Sequence, residues 1–135
     1  MKVFIADDSA IVRERLGSML SDLKEVEIVG FAEDVTSAAR SIRELKPHAV
    51  ILDIRMPGGS GIEVLAEIKK GAPAPLVIIL TNYPYPQYRE RCMHLGADYF
   101  FDKSAEFEKV YQVFERLILE SNLAGCIKQE TFTVK

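Results

Sequence analysis

The chain has 135 residues, 48% hydrophobic and 27% charged, the balance of a globular protein with one core. Its 17 basic and 20 acidic residues leave a net charge of −3, which argues against a nucleic-acid surface, where a basic stripe is expected. No apolar run approaches the roughly 20 residues of a membrane span. The start, Met1-Lys2-Val3-Phe4-Ile5, is too short an apolar stretch for a signal peptide, so a cytoplasmic location is expected. Cys92 and Cys126 lack metal-type spacing and read as free thiols of a reducing compartment. His48 and His94 show no ligand pattern either.

Short apolar runs alternate with longer segments of helical period, the pattern of βα units and a parallel sheet. A first strand is predicted at about 2–7, followed by a helix capped by Ser9 with Val12, Leu16, Met19, Leu20 and Leu23 on one face. A second strand is predicted at about 27–32. Asp34 caps the second helix, which must stop before Pro47. The third strand is predicted at about 49–53. Met56-Pro57-Gly58-Gly59-Ser60-Gly61 is a turn, and Ser60 with Glu63 reads as a capping box opening helix three. Gly71, Pro73 and Pro75 end that helix, and strand four follows at about 76–81.

Tyr83-Pro84-Tyr85-Pro86 is a stiff aromatic loop, with Pro86 suited to the first turn of helix four and Gly96 to its C′ position. Strand five is predicted at about 98–102. Helix five is expected to start after Ser104, with Glu106 and Glu108 favoured by the helix dipole, and to bury Phe107, Val110, Tyr111, Phe114, Leu117 and Ile118. Ser121 to Lys135 is then a short tail, disordered or packing Phe132 and Val134 on a neighbour, and too short for a second domain. Five strands and five helices predict an α/β, doubly wound parallel sheet. Strands one, three and four read as unbroken apolar runs, as strands covered on both faces do.

The strand ends carry the chemistry. Strand one runs into Asp7 and Asp8, strand three into Asp53, strand four into Thr81 and strand five, one residue on, into Lys103. In a parallel sheet these ends share one edge, where open α/β sheets bind ligands. Three carboxylates without a His or Cys partner favour a hard cation, Mg²⁺ or Mn²⁺, that is commonly completed by phosphate oxygens. One carboxylate can act as nucleophile and form an aspartyl phosphate. Lys103 and Thr81 then supply the ammonium and hydroxyl that neutralise the equatorial oxygens. No Gly-Lys-Ser/Thr loop exists, so a nucleotide is not the expected donor.

Phe4-Ile5-Ala6-Asp7-Asp8-Ser9, Ile51-Leu52-Asp53-Ile54-Arg55-Met56-Pro57, Leu80-Thr81 and Gly96-Ala97-Asp98-Tyr99-Phe100-Phe101-Asp102-Lys103 together resemble the receiver domain of two-component response regulators. Four segments match in order, with steps of 45, 28 and 22 residues from Asp8 to Asp53, Thr81 and Lys103. The resemblance covers about residues 1–120 and implies a flavodoxin-like fold with strand order 2-1-3-4-5, of which the chemotaxis response regulator is a general example. It implies Asp53 as phosphoacceptor. Mg²⁺, or Mn²⁺ in its place, would be held by Asp8 directly, Asp7 through water, Asp53 and the backbone carbonyl of Arg55. Lys103 would pair with phosphoryl oxygens, Thr81 would be the switch hydroxyl, and Phe100 the aromatic switch turning inward as Thr81 moves.

A sensor histidine kinase or phosphotransfer protein is the implied donor. A changed face of helix four, strand five and helix five would meet a downstream protein, with homodimerisation on phosphorylation a further expectation. The expectation is a phosphorylation-activated switch that catalyses only its own phosphorylation and dephosphorylation, with no nucleic-acid or membrane partner within the chain. Two positions depart from the family pattern. Ser104 replaces the usual proline after the lysine, so a trans bond or a locally altered turn is expected, since a cis bond without proline costs about 3 kcal/mol. Asn82 stands where a small residue is usual and, together with Tyr83, is expected to narrow access to the phosphoryl group and alter the lifetime of the phosphorylated form. The alternative reading is the receiver fragment of a DNA-binding transcription regulator. A small Mg²⁺-dependent phosphatase would need a second acid two residues after Asp53, where Arg55 stands.

Overall fold

The computed structural model describes the backbone of residues 1–134 and the side chains of residues 1–122. In chain order the elements are β1 (Lys2–Ala6), α1 (Ala10–Leu20), β2 (Glu27–Ala32), α2 (Val35–Leu45), β3 (Ala49–Leu52), α3 (Gly61–Ile68), β4 (Leu76–Thr81), α4 (Pro86–His94), β5 (Tyr99–Asp102) and α5 (Lys109–Val134). A two-residue ladder, Arg55–Met56 against Gly59–Ser60, closes the turn after β3. The sheet runs β2-β1-β3-β4-β5 and every pairing in it is parallel. This is the doubly wound, flavodoxin-like order read from the sequence.

Side chains alternate across the sheet, and both faces are covered. Phe4, Val50, Leu52, Val77 and Ile79 pack on one side with Ile42, Val64, Leu65 and Cys92 from α2, α3 and α4. Val3, Ile5, Ile51, Ile78 and Leu80 pack on the other with Leu16 and Leu20 of α1 and Val110 and Phe114 of α5. This double cover is why β1, β3 and β4 read as continuous apolar runs. Each such buried Val, Leu, Ile or Phe contributes about 1.5–3 kcal/mol of transfer free energy, so the central strands are anchored and their ends are held in fixed register. Burial pushes the Cys92 thiol up to about 11, so it stays protonated and acts as a small core residue.

The caps follow the sequence reading. Ser9 Oγ accepts the Val12 N–H and Asp34 the Ser37 N–H. Ser60 and Glu63 form a reciprocal capping box, Pro86 occupies the first turn of α4, and Gly96 takes φ +101° just past that helix. Helix five departs from expectation at both ends. It begins at Lys109 rather than after Ser104, because local side chains compete for the backbone. Asp102 accepts both the N–H and the hydroxyl of Ser104, while Glu106 accepts the Asp102 N–H and pairs with Lys109. Phe107 is buried from that turn, and Val113 is buried where Tyr111 and Leu117 are only half covered. At the other end the helix continues to Val134, so the expected tail is helical through that residue. The packing expected of Phe132 and Val134 lies outside the described side chains. No helix among the described residues is long and apolar enough to cross a membrane.

Candidate functional site: an acid pocket at the carboxyl edge of the sheet

The parallel ladder runs one residue past three strands and fixes the backbone of the site. Asp7 N–H donates to the Ala32 carbonyl, Asp53 N–H to the Ala6 carbonyl and Lys103 N–H to the Thr81 carbonyl, each at 2.9 Å. Asp7, Asp53, Thr81 and Lys103 are the buried polar residues of the chain's described part, at 2%, 5%, 0% and 8% exposure. Asp8 is exposed beside them. One carboxylate oxygen from each of Asp7, Asp8 and Asp53 lies within 4.8 Å of the others.

Lys103 Nζ sits 2.7 Å from Asp7 Oδ2 and 3.0 Å from Asp53 Oδ2. The second oxygens face backbone donors: Asp7 Oδ1 accepts the Ser9 N–H at 2.9 Å and Asp53 Oδ1 the Ile54 N–H at 2.7 Å. Arg13, the nearby guanidinium of α1, donates to the Asp7 carbonyl and reaches toward Glu33 instead of the carboxylates. Three carboxylates are therefore matched by one ammonium in direct contact. Burial, and secondarily the Asp7 charge, raise the Asp53 pKa against the opposing pull of Lys103. Burial alone would lower Lys103, but its bonds and charges with Asp7 and Asp53 outweigh that and hold it above its ordinary value. The ammonium stays charged, and the acids keep an uncompensated negative charge that an all-oxygen donor set relieves best with a hard divalent cation.

Thr81 Oγ accepts the Tyr83 N–H at 3.0 Å and, as an acceptor there, keeps its own proton to give. Phe100 lies inside at 3% exposure, with the Arg89 guanidinium 4.7 Å above its ring. The Lys103–Ser104 bond is trans, and the cis bond among the described residues falls at Ala72–Pro73. Asn82 is exposed at the mouth and Tyr83 half-buried.

Two features of the site were not read from the sequence. Gly61, assigned only to a turn, is a close-approach position: a β-carbon there would lie 1.8 Å from the Asp53 carbonyl oxygen. Its N–H donates to the Ile54 carbonyl at 2.6 Å, so the chain folds tightly back on the loop that follows Asp53. The run Gly58-Gly59-Ser60-Gly61 held the signal, without saying which glycine it concerned. The other is the Arg55 guanidinium, stacked 3.9 Å from the Tyr83 ring centroid. A hydrogen bond to the Tyr88 side chain raises the Arg55 pKa further. No local pattern announces a contact between residues 28 apart.

A 2-1-3-4-5 parallel sheet with a carboxylate cluster and a lysine at its carboxyl edge defines a flavodoxin-like domain. Residues 3–115 match the family model described as response regulator receiver domain, and the chain belongs to that family of signalling modules. It is 30% identical over 117 residues to the response regulator GacA of Pseudomonas aeruginosa, covering 87% of this chain and 55% of that protein. It is 39% identical over 105 residues to a protein-glutamate methylesterase/protein-glutamine glutaminase of Saccharophagus degradans, covering 76% of this chain and 30% of that one. The chain thus spans about half, or less, of the length of these relatives. The response regulator domain of Thermotoga maritima CheB superposes with a TM-score of 0.76 at 31% identity, covering 89% of this chain and 94% of that one. A LuxR-family DNA-binding response regulator from Staphylococcus aureus gives 0.78 at 31%, covering 85% and 96%.

Proposed function

We propose that the chain is a phosphorylation-activated switch whose acceptor is Asp53. The donor is a phosphohistidine on a sensor kinase or phosphotransfer protein. The observation that carries this reading is the burial of Asp53 beside Asp7 and Asp8 from the end of β1 and Lys103 from the end of β5, with buried Thr81 ending the strand between β3 and β5. A carboxylate so placed is shielded from bulk water yet open on the side of the exposed Asp8.

In the transfer, an Asp53 carboxylate oxygen attacks phosphorus in line. An O–P bond forms, the donor's N–P bond breaks, and its electron pair returns to the imidazole nitrogen. Lys103, 3.0 Å from Asp53, neutralises a developing phosphoryl charge, and the Thr81 hydroxyl donates to another oxygen. Asp7, Asp8, Asp53 and the Arg55 carbonyl are the residues that would hold Mg²⁺, or Mn²⁺ in its place. Bound there, the cation supplies charge neutralisation for the acids and the incoming phosphoryl group. As Thr81 moves toward the phosphoryl group, it releases the Tyr83 N–H. The change passes through Phe100 and Arg89 to the α4–β5–α5 face, where a downstream protein or a second copy binds. The reaction is confined to this self-modification and its hydrolysis, and a cytoplasmic setting suits it.

Incubation with acetyl phosphate and Mg²⁺ tests the acceptor by intact mass. One phosphoryl group is expected on the wild type and none on Asp53→Ala. A mass gain that survives Asp53→Ala, or no gain on the wild type, sinks the reading. Asn82→Ala and Tyr83→Ala are each expected to change the dephosphorylation rate.

A further inference from the structure

Arg55 stands two residues after Asp53, and Tyr83 two residues after Thr81. Their parent strands β3 and β4 are adjacent, with Leu52 paired to Ile79. The guanidinium stacked on Tyr83 at 3.9 Å therefore bridges the two loops that flank the acceptor. From Tyr83 the contact continues outward. Tyr83 and Tyr85 rings are 6.2 Å apart and Tyr85 and Tyr88 5.6 Å, each pair tilted. Tyr88 lies in α4. One end of this chain of contacts is at the acceptor loop and the other in the helix next to Phe100.

Charge decides when the stack holds. In the cation-bound resting pocket, three carboxylates balance one ammonium and one divalent cation. Phosphorylation replaces the single negative charge of Asp53 with a group carrying close to two. The pocket becomes more negative by about one unit, and Lys103 is already committed to Asp7 and Asp53. Arg13 is committed to the Asp7 carbonyl. Arg55, two residues from Asp53, has neutral aromatic side chains as partners, Tyr83 by stacking and Tyr88 by a hydrogen bond. An exposed cation–π contact contributes about 0.5–1 kcal/mol, less than a charge-assisted hydrogen bond to a phosphoryl oxygen. The exchange therefore runs from ring to phosphate.

We propose that Arg55 is a positioning residue held in reserve on Tyr83. On phosphorylation its guanidinium transfers to the phosphoryl group, prolonging the life of the aspartyl phosphate and releasing the Tyr83–Tyr85–Tyr88 stack. This inference rests on Asp53 being the acceptor. It gives the switch a second route to α4, through the Tyr83 ring instead of Phe100.

The chain has no tryptophan and five tyrosines, three of them in this stack, so tyrosine emission and near-ultraviolet dichroism read its state directly. Beryllofluoride with Mg²⁺ serves as the phosphoryl mimic, and acetyl phosphate loads the group for lifetime measurements. In the wild type the mimic should change the tyrosine signal. Arg55→Met should show the released signal before any addition, change little on adding the mimic, and shorten the phosphoryl half-life about tenfold, the size of one charge-assisted hydrogen bond. Tyr83→Leu frees the guanidinium and should act in the opposite sense, tightening beryllofluoride binding. Tyr83→Phe keeps the ring face and should keep the wild-type phosphoryl half-life and beryllofluoride affinity. Thermal melts of each variant show that the fold is kept.

Arg55→Met and Tyr83→Leu moving binding in the same direction would overturn the exchange, as would a wild-type half-life and spectral change in Arg55→Met. A wild type that takes up phosphoryl but ignores these substitutions defeats this inference alone. A wild type that takes up none defeats it together with the acceptor assignment.

Discussion

Lys69 and Lys103 each reach an aspartate at opposite edges of the same sheet. At the amino edge, Lys69 Nζ lies 2.9 Å from Asp98 Oδ2 and 2.7 Å from the Pro75 carbonyl, and Asp98 also accepts the Val77 N–H. Charges match one to one, and the backbone of the β4 entrance takes up the rest. At the carboxyl edge, Lys103 meets two carboxylates with a third nearby, and all but the exposed Asp8 are almost wholly buried. The same pair of residue types thus makes a balanced staple at one edge and an overcharged pocket at the other. A balanced pair stabilises and does nothing more. An overcharged one keeps an unspent negative charge, which the proposed phosphoryl transfer would use.

Removing the lysine from each edge is the sharpest way to break this contrast. Lys103→Met leaves buried carboxylates without their partner and is expected to cost about 3–5 kcal/mol in urea unfolding without divalent cations. Part of the loss should return when Mg²⁺ is added. A loss under 1 kcal/mol would mean that the pocket's charges are already well solvated. Gly61→Ala tests whether the pocket depends on close backbone approach. The clash with the Asp53 carbonyl should cost about 1–3 kcal/mol and abolish phosphorylation, seen together by thermal melt and intact mass.

Asp53→Asn should act in the other direction and raise the melting temperature in the absence of metal. A carboxylate whose folded pKa is raised binds more protons in the native state than in the unfolded one. Its effect is that stability falls as pH rises from the ordinary 3.8 through the raised value. Stability against pH should lose that falling limb in Asp53→Asn, and an unchanged profile would contradict the burial argument. Lys69→Met is expected to cost about 1 kcal/mol or less, its pair being partly exposed, and to leave acetyl-phosphate labelling untouched. Smallest of all, Asp34, whose pKa is lowered by the Ser37 N–H and hydroxyl, helps the fold above pH 3.8 and loses that contribution as pH falls through its folded value. Asp34→Ala should flatten the acid limb of the melting profile slightly.

Much of this was legible because strand ends and caps are local. Asp7, Asp8, Asp53, Thr81 and Lys103 each terminate an apolar run, and a parallel sheet leaves such ends no choice but to meet. Ser9, Asp34 and Ser60 act through bonds to N–H groups two or three residues away. What the sequence concealed depends on competition or on long-range contact. Around Ser104 the acids Glu106 and Glu108 suggest a helix start, yet Asp102 and Glu106 capture the backbone first and defer the helix to Lys109. Nothing in the run Ser121 to Val134 marked it as a continuation of the preceding helix. The Gly61 approach and the Arg55–Tyr83 stack join segments that only the finished fold brings together.

Gly61 has a bearing on how the site can be rewritten. Its missing β-carbon ties the loop after Asp53 to the start of α3 so closely that variation there is foreclosed to any other residue. Anyone retuning the proposed switch by library selection has freedom at Arg55 and Asn82, which are exposed, and at half-buried Tyr83. Position 61 should be left out of the randomised set.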